Sequence, residues 1–146
     1  MIAVDLAPIA AGRLEVMSTL EPAVRELADG PNFAAFTVNL PSGRAMTHVV
    51  WVGAEDDELL VNTEVHRTKF KATEADPRVT LAIWDAKNPY HFAEVRGRVV
   101  RTTVGPEARA HIDALSQKYL GKDYDAGNIT SERVILHIEP EVQHAH

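Results

Sequence analysis

The feature that most constrains this sequence is a change of apolar period near residue 32. Before it, apolar residues recur at spacings of four and three, at Leu20, Val24 and Leu27. That spacing predicts a short helix over about 19–29, which the sequence "ADGP" ends. After it, "NFAAFTVNL" and "AMTHVVWVG" flank the turn residues of "PSGR". We therefore predict a β-hairpin with strands at about 33–40 and 45–53.

Four further strands and two helices follow in the pattern. The strands are "ELLVN", "RVTLAIWD", "HFAEVRGRVVRTTV" and "RVILHIEP", and "AKNPY" is predicted to be a loop between the middle two. A short helix is predicted after Thr63, with Pro77 as its stop, and another at about 106–120 with Gly121 as its stop. Gly97 inside the fifth strand predicts a bulge or a barrel corner.

Six strands without regular βαβ alternation predict a mostly β fold, a six-stranded antiparallel barrel with two or three short helices. The 146 residues fit one domain that buries roughly 70% of its unfolded surface. We divide it into an N-terminal extension (1–18), a helix (19–31), a barrel core (32–140) and a tail (141–146). Because "TLAIW" and "VVWV" are apolar almost throughout, we expect a second subunit to cover them.

Composition excludes several classes of protein. The formal net charge of -6 argues against nucleic-acid binding, and the lack of cysteine removes disulfides and thiolate chemistry. No apolar run approaches the roughly 20 residues that span a bilayer, and the first residues lack the basic start of a signal peptide. We expect a cytoplasmic protein.

A basic cluster opens the middle helix. Arg67, Lys69 and Lys71 lie where cations oppose the helix dipole and repel one another. A bound phosphate would resolve that conflict, because it accepts hydrogen bonds from Lys, Arg and first-turn N–H groups. The alternative is a solvated helix face balanced by nearby carboxylates, those of Glu64, Glu74 and Asp76.

The order of landmarks decides between these interpretations. A hairpin, "VNT", an R-x-K helix start, "DPRV", "NPY" and "EVRGRV" occur in that order, and the region of about 32–140 thereby resembles the pyridoxamine-phosphate-oxidase-like split-barrel family. It looks most like the branch of oxidoreductases that depend on the deazaflavin coenzyme F-420. The resemblance implies a homodimeric split barrel with a flavin-like cofactor in grooves at the subunit interface.

Site residues follow from the resemblance by position. Lys69 with Arg67 and Thr68 would bind the cofactor phosphate. The ring would lie on the backbone of Val49, Val50 and Trp51, with Asn62 and Thr63 beside its polar edge and ribityl chain. The partner subunit would contribute Asn88 and Tyr90. The chain departs from relatives in one place, with Ala72 and Thr73 where they carry an Asn-Leu pair.

The cofactor itself is not fixed by the phosphate cradle, because FMN and coenzyme F-420 share ring, ribityl chain and phosphate. The oligoglutamate tail of coenzyme F-420 would favour extra cations, for which Lys71, Arg44 and Lys87 are candidates; each is equally an ordinary surface charge. The branch resemblance favours coenzyme F-420. We expect hydride transfer to an electron-poor acceptor such as an enone, quinone or conjugated lactone.

Three alternatives stay open. They are an FMN-dependent oxidoreductase of the same fold, a non-catalytic flavin- or haem-binding carrier or sensor, and a dimeric structural domain without a cofactor. Vitamin salvage is not expected, because the sequence ends at "IEPEVQHAH", without the Arg- and His-bearing segment that holds the substrate phosphate in those oxidases.

Few other residues suggest chemistry. The sequence has no Ser-His-Asp ordering, GxGxxG or P-loop string, so the cofactor would supply the reactivity. His48 is a candidate proton donor or a hydrogen-bonded wall of the site.

Aromatic residues that could stack on a ring or substrate are Trp51, Trp84 and Tyr90, and Trp51 is also a candidate for interface core. Glu94 and Arg96 suggest a cross-strand ion pair. We expect no metal site, since His144 and His146 lack carboxylate support.

Overall fold

The computed structural model describes residues 18–146, so the expectations for the first seventeen residues of the N-terminal extension lie outside the described residues. The described part contains seven strands, three α-helices and a 3-10 turn at Ala126–Asn128. The strands are β1 Phe33–Asn39, β2 Ala45–Trp51, β3 Gly53–Glu55, β4 Glu58–Glu64, β5 Arg78–Asp85, β6 Asn88–Val104 and β7 Arg133–Ala145. The helices are α1 Pro22–Asp29, α2 Thr68–Ala75 and α3 Pro106–Leu120.

All seven strands belong to one antiparallel sheet in the order β2-β1-β5-β6-β7-β4-β3. This confirms the predicted mostly β, antiparallel architecture, with one strand more than the six expected. The additional strand arises because the predicted second strand breaks at Val52. The N–H of this fully buried residue donates to the Tyr119 hydroxyl at 3.1 Å, and the chain resumes as β3 on β4.

Two boundaries differ from the sequence prediction. The loop expected at "AKNPY" is shorter, because β6 begins at Asn88, which pairs with Asp85 across the turn. The predicted tail continues β7 as far as Ala145, which pairs with Ala93. The cause is the length of β6, whose 17 residues offer backbone partners to the end of the chain.

Gly97 is the predicted irregularity in β6. The register between β6 and β7 shifts between Arg96 and Gly97. A Cβ atom at position 97 would overlap the carbonyl oxygen of Glu139, so only glycine lets the two backbones approach this closely. The bulge prediction is confirmed.

The main hydrophobic core packs against one face of the sheet, and a small second cluster of Leu60, Ala108 and Ile135 lies beneath α3. β1 and β5 each bury every second side chain, and the apolar residues of α1 close the core from one side. The face of β2 that bears Val49 is open within the described chain, with Val49 64% exposed, and the second face of β5 is half-buried. Coverage of those faces by a second subunit stays a prediction. None of the helices in the described part is long and apolar enough to cross a membrane.

Candidate functional site

The ring pocket, as we name it, lies where the sheet opens between β2 and β4. It is a cavity of about 250 Å³. It contains four of the residues predicted to surround the cofactor ring, namely Val49, Val50, Trp51 and Asn62. Its other lining residues were not predicted: Phe33, Ile112, Leu115, Tyr124 and Arg133. The sequence indicated only the β2 and β4 sides of this pocket. The tertiary structure adds residues of α3 and β7, which close it.

Aromatic stacking fixes Trp51 in this pocket. Its ring stacks on Tyr119 with a centroid separation of 5.0 Å and an interplanar angle of 6°, and it meets Tyr124 edge-on at 6.1 Å. The Tyr119 hydroxyl donates to the carbonyl oxygen of Asn32 and accepts from the Val52 N–H. Tyr119 thus anchors α3 to the chain on both sides of the hairpin, and Trp51 stands as a fixed wall.

A second cavity, which we name the cradle, lies at the start of α2. It measures about 260 Å³ and is lined by His48, His66, Arg67, Thr68 and Lys69. Arg67 at the N-cap position makes no side-chain capping hydrogen bond, and the first turn contains no acidic residue. The first-turn N–H groups of a helix lack intrahelical acceptors. The helix start therefore presents donors and positive charge together, which is the chemistry of an anion site.

Lys69 is the least ordinary residue of the cradle. Its side chain is buried, with 8% exposed, and burial followed by the charges of Arg67 and Arg133 lowers its pKa. Among residues 18–146, no carboxylate lies within ion-pair distance of Lys69. Two of the three acids that a solvated helix face would use are engaged elsewhere, Glu64 with Arg133 and Asp76 with Arg78. The third, Glu74, is exposed near the end of α2. A buried ammonium next to two cations is costly unless an anion binds it.

A buried polar network joins the two cavities. Arg133 donates from Nε to Asn62 Oδ1 at 2.8 Å and from Nη1 to Glu64 Oε2 at 3.2 Å. Burial acts to raise the pKa of Glu64, but hydrogen bonds from the Ser131 and Thr130 backbone N–H groups and the charge of Arg133 outweigh it and lower the pKa. Glu64 is therefore an ionised, fully buried anchor for Arg133.

His111 ends this network on the α3 side. Because Arg133 donates to Asn62 Oδ1, the Asn62 amide turns its Nδ2 toward His111 Nδ1 at 3.0 Å and the Ala108 carbonyl at 3.0 Å. Burial, followed by the charges of His137, Lys118 and Arg133, lowers the pKa of His111 to about 4. At neutral pH the imidazole accepts at Nδ1 and carries its proton on Nε2.

Several predicted site residues do not line either cavity. Thr63 is buried on β4, and Lys71 is exposed on α2. Asn88 and Tyr90 lie on the β5–β6 hairpin, where Tyr90 is 85% exposed. His48 differs from these residues, because it lines the cradle, although the sequence placed it beside the ring.

The residues suggested for the oligoglutamate tail of coenzyme F-420 also lie apart. Arg44 and Lys87 are exposed at opposite ends of the sheet, because the β1–β2 turn lies beyond Asn39 whereas the β5–β6 turn lies beside the paired Phe33 and Trp84. Within one chain, Arg44 and Lys87 therefore cannot contact the same oligoglutamate tail of a cofactor.

The remaining expectations have plain structural outcomes. Arg96 and Glu94 form an ion pair at 3.2 Å, but along one strand and not across two. The ring of His146 stacks on Phe92 at 4.6 Å. Within residues 18–146 no group of three potential metal ligands occurs. Trp84 contacts Phe33, with ring centroids 6.3 Å apart, and does not line the ring pocket.

Sequence reasoning missed Arg133, Tyr124 and His66. One signal pointed to Arg133: it opens an otherwise apolar strand, "RVILHIEP", where an unpaired buried charge is not tolerated. Glu64 after "VNT" is the matching acid. Tyr124 follows α3 in a loop, and no local pattern places it against Trp51. His66 precedes Arg67 directly, and its Nδ1 lies 2.5 Å from Ser131 Oγ.

Comparisons with solved structures agree with this fold. An F-420 reductase superposes with a TM-score of 0.73 at 24% identity, covering 82% of this chain and 94% of that chain. A conserved hypothetical protein from Mycobacterium tuberculosis gives 0.64 at 19% identity, covering 89% and 84%. HutZ, a haem storage protein from Vibrio cholerae, gives 0.61 at 12% identity, covering 87% and 94%. At these identities the likenesses show the fold alone.

Sequence comparison identifies the family. A search of curated proteins gave no match to this chain. A family model described as pyridoxamine 5'-phosphate oxidase matches residues 20–146, which is most of the sequence and includes β1 to β7 and both cavities. The chain therefore belongs to the pyridoxamine 5'-phosphate oxidase family.

Proposed function

We propose that this protein is a cytoplasmic oxidoreductase that binds coenzyme F-420 and transfers hydride to an electron-poor organic acceptor such as an enone, quinone or conjugated lactone. The observation that carries the proposal is Lys69. It is a buried cation at a helix start, with cations as its charged neighbours and a pocket of ring size beside it.

The residues present fit such a cofactor. Lys69, Arg67 and Thr68 would hold the phosphate through charge-assisted hydrogen bonds and first-turn N–H groups. The ring would lie against the β2 backbone at Val49, Val50 and Trp51, with Asn62 beside its polar edge and the buried Thr63 supporting β4. The cofactor would supply the hydride chemistry, and the chain would bind it, orient it and exclude water.

A homodimer belongs to the same proposal. In one chain the ring pocket is open on the side of Val49, and Asn88 and Tyr90 contact neither cavity. A second subunit packed on β2 would cover Val49 and bring its own Asn88 and Tyr90 to the cofactor.

His48, on the cradle side of β2, is the side chain we propose as proton donor.

The choice of coenzyme F-420 over FMN rests on the branch resemblance and on the similarity to the F-420 reductase structure. The cradle would not distinguish the two cofactors, because both carry a phosphate at the end of the ribityl chain. Lys71, Arg44 and Lys87 are the residues we propose for the tail, contributed by the two subunits of the dimer.

A carrier or sensor is the second candidate. It is favoured by the similar fold of the haem storage protein HutZ. No histidine lines the ring pocket within the described residues; His48 and His66 lie in the cradle. A haem held through His48 or His66 would therefore occupy the cradle that we assign to phosphate. Titrations with haem and with the flavin-type cofactors compare the two candidates.

Parallel fluorescence titrations with coenzyme F-420 and FMN, and an absorbance titration with haem, test the proposal. We expect coenzyme F-420 to bind with micromolar or tighter affinity, and FMN and haem more weakly. Oxidation of bound reduced cofactor should then accelerate with an enone or quinone. Tight binding without acceleration by any acceptor would favour a carrier, preference for FMN the flavin-dependent alternative, and no binding of any of them a structural domain.

A further inference from the structure

Arg133 is linked to both cavities. Its side chain lines the ring pocket, and its partner Glu64 places Oε1 3.9 Å from Nδ1 of His66, which lines the cradle. The charge of Arg133 is also among those that lower the pKa of Lys69, and only 7% of the residue is exposed. The guanidinium is therefore a buried positive charge in the wall of the ring pocket, connected to the cradle through Glu64.

The orientation of this guanidinium is fixed. Asn62 Oδ1 accepts from Nε, Glu64 Oε2 accepts from Nη1, and the Tyr124 ring lies 5.2 Å from the guanidinium carbon. Glu64 is itself held by the N–H groups of Thr130 at 2.8 Å and Ser131 at 2.6 Å. These contacts use two of the five guanidinium N–H groups, so donors remain for a ligand oxygen in the ring pocket.

The chemistry of the cofactor indicates which ligand atoms meet that charge. In flavins and deazaflavins the ribityl chain leaves the central ring midway between the two outer rings, so its attachment fits either orientation of the ring. The pyrimidine ring carries two carbonyl oxygens that accept hydrogen bonds, and the remaining N–H groups of Arg133 would favour the orientation that brings this edge to the guanidinium. The edge can carry a negative charge after two-electron reduction, and a nearby protein charge tunes the electronics of the ring.

We propose that Arg133 makes the site selective for the redox state of its cofactor, because its guanidinium pairs with the negative charge that the pyrimidine edge gains on reduction. The inference rests on the proposed function and adds a specificity residue to it. The reduced cofactor would bind more tightly than the oxidised one. The site would in this way favour the reduced cofactor, which is the form that donates the hydride.

The test is the ratio of two dissociation constants, for oxidised and for reduced coenzyme F-420, measured anaerobically by titration calorimetry. Arg133→Gln is expected to lower the preference for the reduced form about tenfold or more, because the pairing of the guanidinium with a negatively charged ring edge exists in the reduced state only. Arg133→Lys keeps the charge and should keep most of the preference. Lys69→Met is the matched control. It should weaken the binding of the oxidised and the reduced cofactor by the same factor, since the phosphate charge is the same in both.

Two further measurements keep the outcomes distinct. Because Arg133→Gln leaves Glu64 buried without its partner, the paired variant Glu64→Gln/Arg133→Gln is measured beside it and should show the same loss of preference. An unchanged ratio in folded Arg133→Gln or in the paired variant would overturn the inference alone. Failure of the unmodified protein to bind either redox form of coenzyme F-420 or FMN would overturn the proposed function and this inference together.

Discussion

Arg133 and Glu64 form an ion pair in which both side chains are buried, with Nη1 and Oε2 separated by 3.2 Å and 7% and 0% of the side chains exposed. The pair joins the first residue of β7 to the last residue of β4. Every ion pair of Arg with Asp or Glu formed elsewhere in residues 18–146 has at least one substantially exposed member. This buried salt bridge therefore supports the wall of the ring pocket, and Glu64 also lies 3.9 Å from Nδ1 of His66 in the cradle.

Removal of Glu64 should destabilise the fold strongly. Glu64→Ala is expected to lower the free energy of unfolding by about 3–5 kcal/mol, because it leaves the Arg133 guanidinium buried without compensation. Urea denaturation measures the difference. Glu94→Ala is the control: its partner Arg96 is exposed, so the expected loss is below about 1 kcal/mol. Equal losses in the two variants would contradict the special role of the buried pair.

The same carboxylate predicts a pH dependence. The folded-state pKa of Glu64 is lowered from its ordinary value, mainly because hydrogen bonds and the charge of Arg133 outweigh burial. Its stabilising contribution is therefore complete above the unfolded-state pKa of about 4.3 and is lost as pH falls through the lower folded-state pKa. The free energy of unfolding of the unmodified protein should decrease more steeply below pH about 4.3 than that of Glu64→Gln.

Lys69 should matter for ligand binding and not for folding. Lys69→Met keeps the apolar stem and removes a buried charge, so we expect an unchanged or higher melting temperature without ligand. Cofactor affinity should fall about 10- to 100-fold, which corresponds to roughly 1.5–3 kcal/mol for a charge-assisted contact. Lys122→Met, at an exposed lysine after α3, should change neither quantity. Unchanged affinity in Lys69→Met would refute the phosphate assignment.

His111 should be neutral at physiological pH. Its folded-state pKa of about 4 lies below the ordinary value of 6.5, with burial as the largest cause. Between these two pH values the unfolded chain binds a proton that the folded chain does not, so the free energy of unfolding should fall as pH decreases from 6.5 to 4. NMR titration of the imidazole resonances should give a midpoint near the lower value. His111→Gln should reduce the slope, and a midpoint near 6.5 would contradict the buried network.

The Tyr119 hydroxyl should contribute to stability. Tyr119→Phe leaves the N–H of the fully buried Val52 and the carbonyl of Asn32 without this partner. The expected loss is about 1–3 kcal/mol in the free energy of unfolding, since buried polar groups then lack hydrogen bonds. Tyr90→Phe, at a ring 85% exposed, provides a matched comparison with no expected change. A loss of equal size in both variants would contradict the role of the hydroxyl.

Dimerisation is a separate test. Light scattering after size-exclusion chromatography should give twice the 16.1 kDa chain mass. Val49→Arg places a charge on the exposed face of β2 and should shift the protein toward monomer and weaken cofactor binding, whereas Val104→Arg, at a valine 46% exposed on β6, should do neither. A monomer that binds the cofactor as tightly as expected would overturn the interface proposal.

The cradle was predictable because its residues are neighbours in sequence. Arg67, Thr68 and Lys69 follow one another at a helix start, and the conflict of their charges with the helix dipole is visible without coordinates. The same holds for α3, predicted at about 106–120 and observed at Pro106–Leu120, because Pro106 and the left-handed Gly121 mark its ends locally.

What the sequence by itself determined were these local features: strand periods, helix ends, turn residues and the cluster of cations. Only the tertiary structure decided that β7 continues to Ala145, that the sheet opens beside Trp51, and that Arg133 reaches Asn62 across 71 positions of the chain. Capping, period and turn chemistry depend on residues a few positions apart, whereas the partners of Arg133 depend on strand order and register, which are fixed when the whole sheet assembles.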